Sequence, residues 1–506
     1  MNLMQYGFIE NRDKKFIIIP DTLEEGLTFG EVNDYSTVMA KKISQDGIGE
    51  GDRVCILIGN KIEHIISFYA LLKLKAIPII LNIRNSSADI KKTIEHCQPR
   101  KVLVAPLLFK KFIKVINHEI VIIMPEYSKI KQSFEDNGGN DLIHYDFPDR
   151  DDEDLLMILY TSGTTGFPKG AMIKFNGWME ATEIYGKKLK LDDQSIVYQA
   201  LPLWQGGAII TFILSVLTGS TIVLIDMLAN SNFYENYWNE VEKYKVNYLY
   251  TFPGILSSLL LLSEKHPNKI YPKVKYAKVS SAVLLPEIRN RFEKVFGIRI
   301  IENYGSNEGN AISITDPDEA HNGSVGKIIG TCPVKISETG EILIKNQKWF
   351  KGYLFNPDLT KSSYEDDWFK MVDIGKIENG YIYLFGRTDV IINSQGEKIS
   401  PSVIDNVILK HEHVFESYSF GYSENSSIHY DDKIISFVSL KNPDNEDINK
   451  KRIRGEILSM CIEQLPKHYI PENIYLINEI PKTTYGKISR ENILTVLKQL
   501  KEGIYE

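Results

Sequence analysis

The chain has 506 residues, length for about three or four domain-sized lobes. Its 43% hydrophobic and 25% charged residues are an ordinary globular composition and exclude collagen-like, low-complexity and wholly disordered chains. The net charge of −7, from 59 Lys+Arg against 66 Asp+Glu, gives no general attraction to nucleic acid or to an anionic membrane, so a polyanionic ligand must be held by a local site.

Glu10, Arg12, Asp13, Lys14 and Lys15 interrupt residues 1–20, so no signal-peptide apolar block and no targeting signal are expected. Cys55, Cys97, Cys332 and Cys461 are scattered without a short pairing. That spacing points to a reducing compartment, the cytoplasm, and not to a disulfide framework or a zinc site. Val32, Tyr35, Val38, Met39 and Ile43 recur at helical spacing, and Gly47, Gly49 and Gly51 follow as a stop. Residues 54–58, 77–81, 102–104 and 120–124 read as short apolar strands, with a helix over 64–74. Strands separated by helix-length segments predict parallel βαβ units and an α/β fold. A loop around Gly138 and Gly139 and an acidic run at 149–154, read as solvated surface, precede a buried strand at 155–160.

Residues 195–225 carry no charged side chain. Pro202, Gly206, Gly207, Thr218, Gly219 and Ser220 cut this stretch below the roughly 20 residues a spanning helix needs. It therefore predicts a buried helix followed by a buried strand at 221–225, and no membrane span. Strands are predicted at 247–252 and 277–280, and helices at 255–263 and 286–296. From about residue 323 short β-like runs dominate, at 334–336, 341–345 and 381–385. Residues 389–506 mix strands (434–440, 473–476) with helices (402–410, 450–464) and read as a small α+β domain after a large one of residues 1–388.

The most informative segment is 159–170, Leu-Tyr-Thr-Ser-Gly-Thr-Thr-Gly-Phe-Pro-Lys-Gly. A buried strand runs into a loop whose glycines, Gly163, Gly166 and Gly170, allow close backbone approach. The hydroxyls of Thr161, Ser162, Thr164 and Thr165 and the loop N–H groups can donate to phosphate oxygens, and Lys169 adds a cation. The Walker spacing fails because Pro168 precedes the lysine.

This segment resembles the phosphate signature of the acyl-adenylate-forming superfamily, which includes acyl- and aryl-CoA ligases, nonribosomal adenylation domains and beetle luciferases. Further motifs follow in order. Leu201, Pro202, Leu203, Trp204, Gln205, Gly206 and Gly207 resemble the motif that opens the acid pocket. Glu302, Asn303, Tyr304, Gly305, Ser306, Asn307 and Glu308 resemble the adenine and magnesium motif. Gly340 and Glu341, with Gly352 and Tyr353, resemble the next. Asp373, Ile374 and Gly375 resemble the ribose motif, and Gly386, Arg387, Thr388 and Asp389 the hinge motif. The run 481–490 resembles the motif of the C-terminal catalytic lysine, here Lys487. The resemblance covers nearly the whole chain.

It implies a large N-terminal AMP-binding domain of α/β subdomains plus a β-rich subdomain, followed by a small mobile α+β domain. It implies ATP, Mg²⁺ and coenzyme A as cofactor and co-substrates, and a carboxylic acid converted to acyl-AMP. Thr161, Ser162, Gly163, Thr164, Thr165, Gly166 and Lys169 would cradle the phosphates, with Thr165 and Lys169 assisting catalysis. Glu308 would hold Mg²⁺, a hard cation that takes one or two carboxylates plus phosphate oxygens. Ser281, Ala282, Asn303, Tyr304, Gly305 and Asn307 would surround the adenine and the α-phosphate, with Tyr304 stacking on the base. Asp373 and Arg387 would meet the ribose. Lys487 would reach in to bridge the acid and the α-phosphate, and Asp389 would be the hinge on which the small domain reorients between half-reactions.

Several positions depart from the family pattern. Gln205 stands where many relatives have histidine, Ser280 and Ser281 where glycines are usual, Val283 for proline, Asn307 for threonine, and Met371 with Val372 for Thr-Gly. Together they imply a divergent member. Amino-acid-activating members place an aspartate in the region matching 201–207, and none is present, so an uncharged acyl or aryl acid is expected. Trp204, Gln205, Gly206, Phe212, Tyr250, Phe252 and Ser280 are the expected pocket. The leading reading is an acid–CoA ligase. Transfer to the phosphopantetheine of an acyl carrier protein is the runner-up; the basic cluster Lys450, Lys451, Arg452 and Arg454 would meet the phosphates of coenzyme A or an acidic carrier, or is more often a solvated helix face. A non-catalytic binding protein with a relict site is the reading from a different class.

Overall fold

The computed structural model describes residues 3–20, 22–136, 146–161, 169–227, 230–265, 271–280, 284–316, 319, 323–387, 392–394, 397–422, 432–441, 449–481 and 490–502. Among the described residues, two large sheets and two small ones carry the molecule. The first has seven strands. Its centre is parallel, with Leu155–Thr161, Ile77–Ile80, Arg53–Leu57, Lys101–Val104 and Val121–Ile123 side by side. These strands are apolar on both faces, which is the pattern of a sheet covered by helices on each side. The second sheet has 14 strands and changes character along its width. Thr221–Leu224, Ile196–Gln199, Tyr248–Thr251, Tyr276–Val279 and Arg299–Ser306 are parallel neighbours in that order. Beyond Arg299–Ser306 the ladder turns antiparallel through Asn310–Ile314 to Tyr381–Arg387 and Trp368–Glu378. The short β-like runs expected after residue 323 are this antiparallel part.

The uncharged stretch resolves as the sequence predicts. Helix Gly206–Thr218 is buried, ends on Gly219 in the left-handed conformation, and feeds strand Thr221–Leu224. Among the described residues, no helix is long and apolar enough to cross a membrane. The acidic run is not idle surface. Glu153 pairs with Lys174 and Lys351, and Asp154 with Lys75, tying the loop before Leu155–Thr161 to its neighbours.

From Ile392 onward the chain builds hydrophobic clusters of its own. Helices Pro401–Ile408 and Lys450–Gln464 pack over strands Val414–Tyr422, Lys433–Leu440 and Asn473–Ile477. Leu285 is the contribution of the larger lobe to that packing. The result is a mixed α/β protein with a large N-terminal and a small C-terminal part.

Candidate active site

The phosphate-loop residues sit on a hairpin. Leu155–Thr161 pairs antiparallel with Lys169–Lys174, and Thr161 opposite Lys169 is the last rung. Lys169 is thereby fixed at the loop's mouth. Ser162, Gly163, Thr164, Thr165 and Gly166 lie outside the described residues, as does the side chain of Thr161. Gly170 is required by close approach: a Cβ there would come within 3.0 Å of the Tyr160 ring and 3.1 Å of Ile158 Cγ2.

Strand Arg299–Ser306 carries the nucleotide motif to the carboxyl ends of the parallel strands, where open α/β sheets bind ligands. There the Tyr304 hydroxyl donates to Asp373 Oδ2 at 2.7 Å. Burial raises the Tyr304 phenol well above the usual range, the Asp373 carboxylate adds to this, and nearby Arg387 opposes it. Arg387 stands directly across from Asp373 in the antiparallel ladder. Three residues separated by up to 83 positions of sequence are thus one cluster. Gly305 sits at an irregularity in the ladder, and a Cβ there would fall on the Asn310 carbonyl oxygen. Asn303 Oδ1 is buried and has no protein partner. Val372, beside Asp373, has a left-handed backbone with φ 62°, and its N–H donates to Glu341 Oε1 at 3.0 Å.

Glu308 is half-buried and held from both ends. Tyr353 Oη donates to its Oε1 at 2.9 Å, while its carbonyl accepts from Asn346 Nδ2 at 2.8 Å and Trp349 Nε1 at 3.0 Å. Among the described residues no group of three or more His, Cys, Asp or Glu is arranged to hold a metal. The single positioned carboxylate fits a hard cation such as Mg²⁺ that takes its remaining ligands from phosphate and water.

The acid side is set by register. Gln199, Tyr250, Lys278 and Ile301 are paired across four adjacent parallel strands, so they share one face of the sheet. Helix Gly206–Thr218 covers part of that face, with Gln199 Nε2 donating to the Ala208 carbonyl at 3.3 Å. A Cβ on Gly207 would lie 2.6 Å from Tyr250 Oη, and one on Gly206 would lie 2.5 Å from Asn307 Oδ1. Glycine at both positions lets the pocket motif meet Tyr250 and Asn307. Ser280 Oγ donates to Tyr250 Oη at 3.4 Å, and burial pushes the Tyr250 phenol up to about 12. Trp204 is buried, and Gln205 is the residue from which the helix starts. Phe212 is core: its ring meets Phe16 at 6.0 Å. Glu302 forms an ion pair with Arg289, so its carboxylate is structural.

Sequence reasoning missed Lys278. It is 3% exposed, and it makes no hydrogen bond or ion pair with any described residue. Its ammonium lies 3.5 Å from the Tyr250 ring centroid and 5.1 Å from that of Tyr185. Burial holds it well below the usual lysine range. A desolvated cation–π contact returns about 2 kcal/mol, against several for stripping water from an ammonium. The rings therefore do not offset the burial. A lysine in the otherwise apolar strand Tyr276–Val279 was the available signal. Ser281, Ala282, Asp389 and Lys487 lie outside the described residues.

Residues 10–354 match the AMP-binding enzyme family, and residues 403–487 match the AMP-binding enzyme C-terminal domain. The chain is 27% identical over 515 residues to an oxalate–CoA ligase of Arabidopsis thaliana, covering 96% of each chain. It is 27% identical over 496 residues to a 2-succinylbenzoate–CoA ligase of Oceanobacillus iheyensis, covering 95% of this chain and 96% of the relative. Among solved structures, an anthranilate CoA ligase in complex with anthranoyl-AMP superposes with TM-score 0.85 at 19% identity, covering 99% of this chain and 97% of that one. With the match spanning both parts of the molecule, this chain belongs to the AMP-binding enzyme family.

Proposed function

We infer that this protein is an AMP-forming acid–CoA ligase, with residues 1–388 as its AMP-binding domain and residues 389–506 as a mobile domain bearing Lys487. The observation that carries the reading is the cluster of Tyr304, Asp373 and Arg387, with Tyr304 at the carboxyl end of the parallel strand Arg299–Ser306. An acid carboxylate attacks the α-phosphorus of ATP, the bond to the β-phosphate oxygen breaks, and pyrophosphate leaves. The thiol of coenzyme A then attacks the acyl carbonyl and AMP leaves.

Asp373 accepts from the ribose hydroxyls, and the Tyr304 hydroxyl fixes the carboxylate that does so. Arg387 adds a cation beside the same sugar. Lys169, with Thr161, Ser162, Gly163, Thr164, Thr165 and Gly166, holds the phosphates. Asn303, Gly305 and Asn307, with Ser281 and Ala282, enclose the base and the α-phosphate. Glu308 would hold Mg²⁺, which supplies charge neutralisation on the phosphates. Lys487 brings a cation to the reacting carboxylate, and Asp389 is the pivot that later withdraws it. Trp204, Gln205, Gly206, Tyr250 and Ser280 line the acid pocket. The CoA ligases among its relatives support coenzyme A as acceptor. The exposed residues Lys450, Lys451 and Arg454, on the helix where Arg452 is held by Glu456, are the surface an acidic carrier protein would meet instead. The cytoplasm is the proposed compartment, on cysteine spacing alone.

Acid-dependent pyrophosphate release over a panel of acids tests this reading, followed by thioester formation with coenzyme A against a phosphopantetheinyl carrier. Amino acids should be poorer than their deaminated analogues, such as phenylalanine against 3-phenylpropanoate, by at least about 100-fold, because an α-ammonium would be desolvated without a counter-charge. No pyrophosphate release with any acid defeats the reading. An amino acid that outperforms its analogue defeats the pocket assignment.

A further inference from the structure

The parallel strands that carry the site also carry a buried cation that nothing in the nucleotide chemistry uses. Lys278 lies two residues before Ser280, on the face shared with Gln199 and Tyr250. Two residues of strand span about 7 Å, so Lys278 is one short molecule's length below the strand ends where the acid is activated. Around it the polar atoms are under-used. Tyr185 Oη, Tyr248 Oη and Gln199 Oε1 are all buried without a partner among the described residues. Tyr185 lies within reach of Lys278, and Tyr248 and Gln199 flank Tyr250 on its strand and the next. A lysine kept for packing would leave no reason for hydroxyl donors to gather unpaired beside it. The Lys278 amine and the hydroxyl of Tyr185, whose ring lies 5.1 Å from it on a separate helix, are donors of the kind an anion takes.

We propose that Lys278 is the counter-charge for a second anionic group on the acid substrate, which is therefore a short dianion, a dicarboxylate or a sulfonated carboxylate. The proposal rests on the ligase reading and narrows its substrate. One carboxylate faces the α-phosphate at the strand ends. The other end of the molecule reaches down past Tyr250 to the ammonium, with the Tyr185 hydroxyl in range. Side chains at Gly206 and Gly207 would collide with Asn307 and Tyr250, and Tyr250, wedged against Gly207 and Ser280, limits the depth. The expectation of an uncharged acid, drawn from the missing aspartate at 201–207, covers only a cationic substituent. It leaves an anionic one open.

The test uses the full-length enzyme and acids matched in length: malonate against propanoate, and succinate and 3-sulfopropanoate against butanoate. Wild type should favour the dianions in kcat/KM for pyrophosphate release by roughly 10- to 150-fold, the worth of a charge-assisted contact. Lys278→Met should lose that preference and shift toward propanoate and butanoate. Lys278→Gln, which keeps length and polarity, should lose it too and is read alone if the methionine variant does not fold. Better activity with malonate or succinate points to a carboxylate as the distal group, and with 3-sulfopropanoate to a sulfonate. Equal use of dianion and monoacid by wild type, or a dianion preference that survives both substitutions, overturns the proposal and leaves the ligase reading standing. If neither series releases pyrophosphate while another acid of the panel does, the proposal is overturned; if no acid does, the ligase reading fails. Calorimetric titration of malonate and succinate then decides Lys278 on its own. Binding to wild type that both variants lose supports the anion site, and absent or unchanged binding overturns it.

Discussion

The hydroxyl of Tyr304 and the carboxylate of Asp373 show how one hydrogen bond serves the nucleotide site. A phenol buried to this degree needs a partner, and Asp373 supplies it. Tyr304→Phe keeps the ring and removes the tether. KM for ATP should rise about 10-fold or more, from the roughly 1.5–3 kcal/mol of a bond to a charged group, while kcat for pyrophosphate release changes less. A fall confined to kcat would show that Tyr304 does not position Asp373. The neighbouring Val372 is strained, since a β-branched residue at φ 62° crowds its own carbonyl. Relief of that crowding, less the extra entropy of an unfolded glycine, leaves Val372→Gly more stable by about 0.5–1 kcal/mol. Denaturant unfolding checks it, and a loss of stability would mean that the valine side chain contributes more by packing than its backbone costs.

At the level of elements, the small domain holds a buried carboxylate. Asp405, on helix Pro401–Ile408, accepts from Ser417 Oγ and Ser419 Oγ, each at 2.7 Å, on the adjoining strand. Burial raises its pKa to about 6, with the two serines opposing the rise. A carboxyl whose folded pKa lies above its unfolded one favours folding in its protonated form. That contribution is complete below about 3.9, the unfolded value, and is lost as pH rises through about 6. The stability of Asp405→Asn relative to wild type should therefore increase between pH 4 and pH 7, by up to about 3 kcal/mol at 1.36 per unit. Hydrogen exchange of the Lys433–Leu440 amides reads this domain directly. A difference that stays flat across the window would place the proton elsewhere.

Over the whole molecule, the junction between the lobes is polar and light. Glu264 on the large lobe meets Arg291 and also Lys441 from the small one, the latter at 3.0 Å, while Leu260 and Ile288 face Leu409 and Val414 across a shallow cleft. Part-exposed pairs of this kind contribute about 0–1 kcal/mol each, so they do not lock one arrangement. That suits the proposed movement, in which the small domain delivers Lys487 and then withdraws it. Asp389→Pro fixes φ near −65° and should separate the half-reactions, leaving acyl-AMP formation if the frozen arrangement is the adenylating one and lowering thioester formation. Burst measurement of pyrophosphate against steady-state acyl-CoA distinguishes the two, and equal losses in both would remove Asp389 as the pivot.

The sequence alone determined the order of elements, because helical and strand periodicities are local. It also carried the family resemblance, because the motifs are short contiguous runs that need no tertiary contact to be read. It missed helix Ser87–Cys97, whose apolar stripe is thin, strand Lys15–Ile19, which pairs with the distant Thr221–Leu224, and the edge strand Leu23–Thr28 that pairs with Lys15–Ile19. Only the tertiary structure joined Tyr304 to Asp373 and Tyr353 to Glu308, since those bonds cross 69 and 45 residues. It alone decided what Lys278 faces. A parallel strand covered on both sides shows no alternation to tell its faces apart, so the direction of a lone lysine is set by its register with Tyr250 and Gln199 and by the helices laid over them.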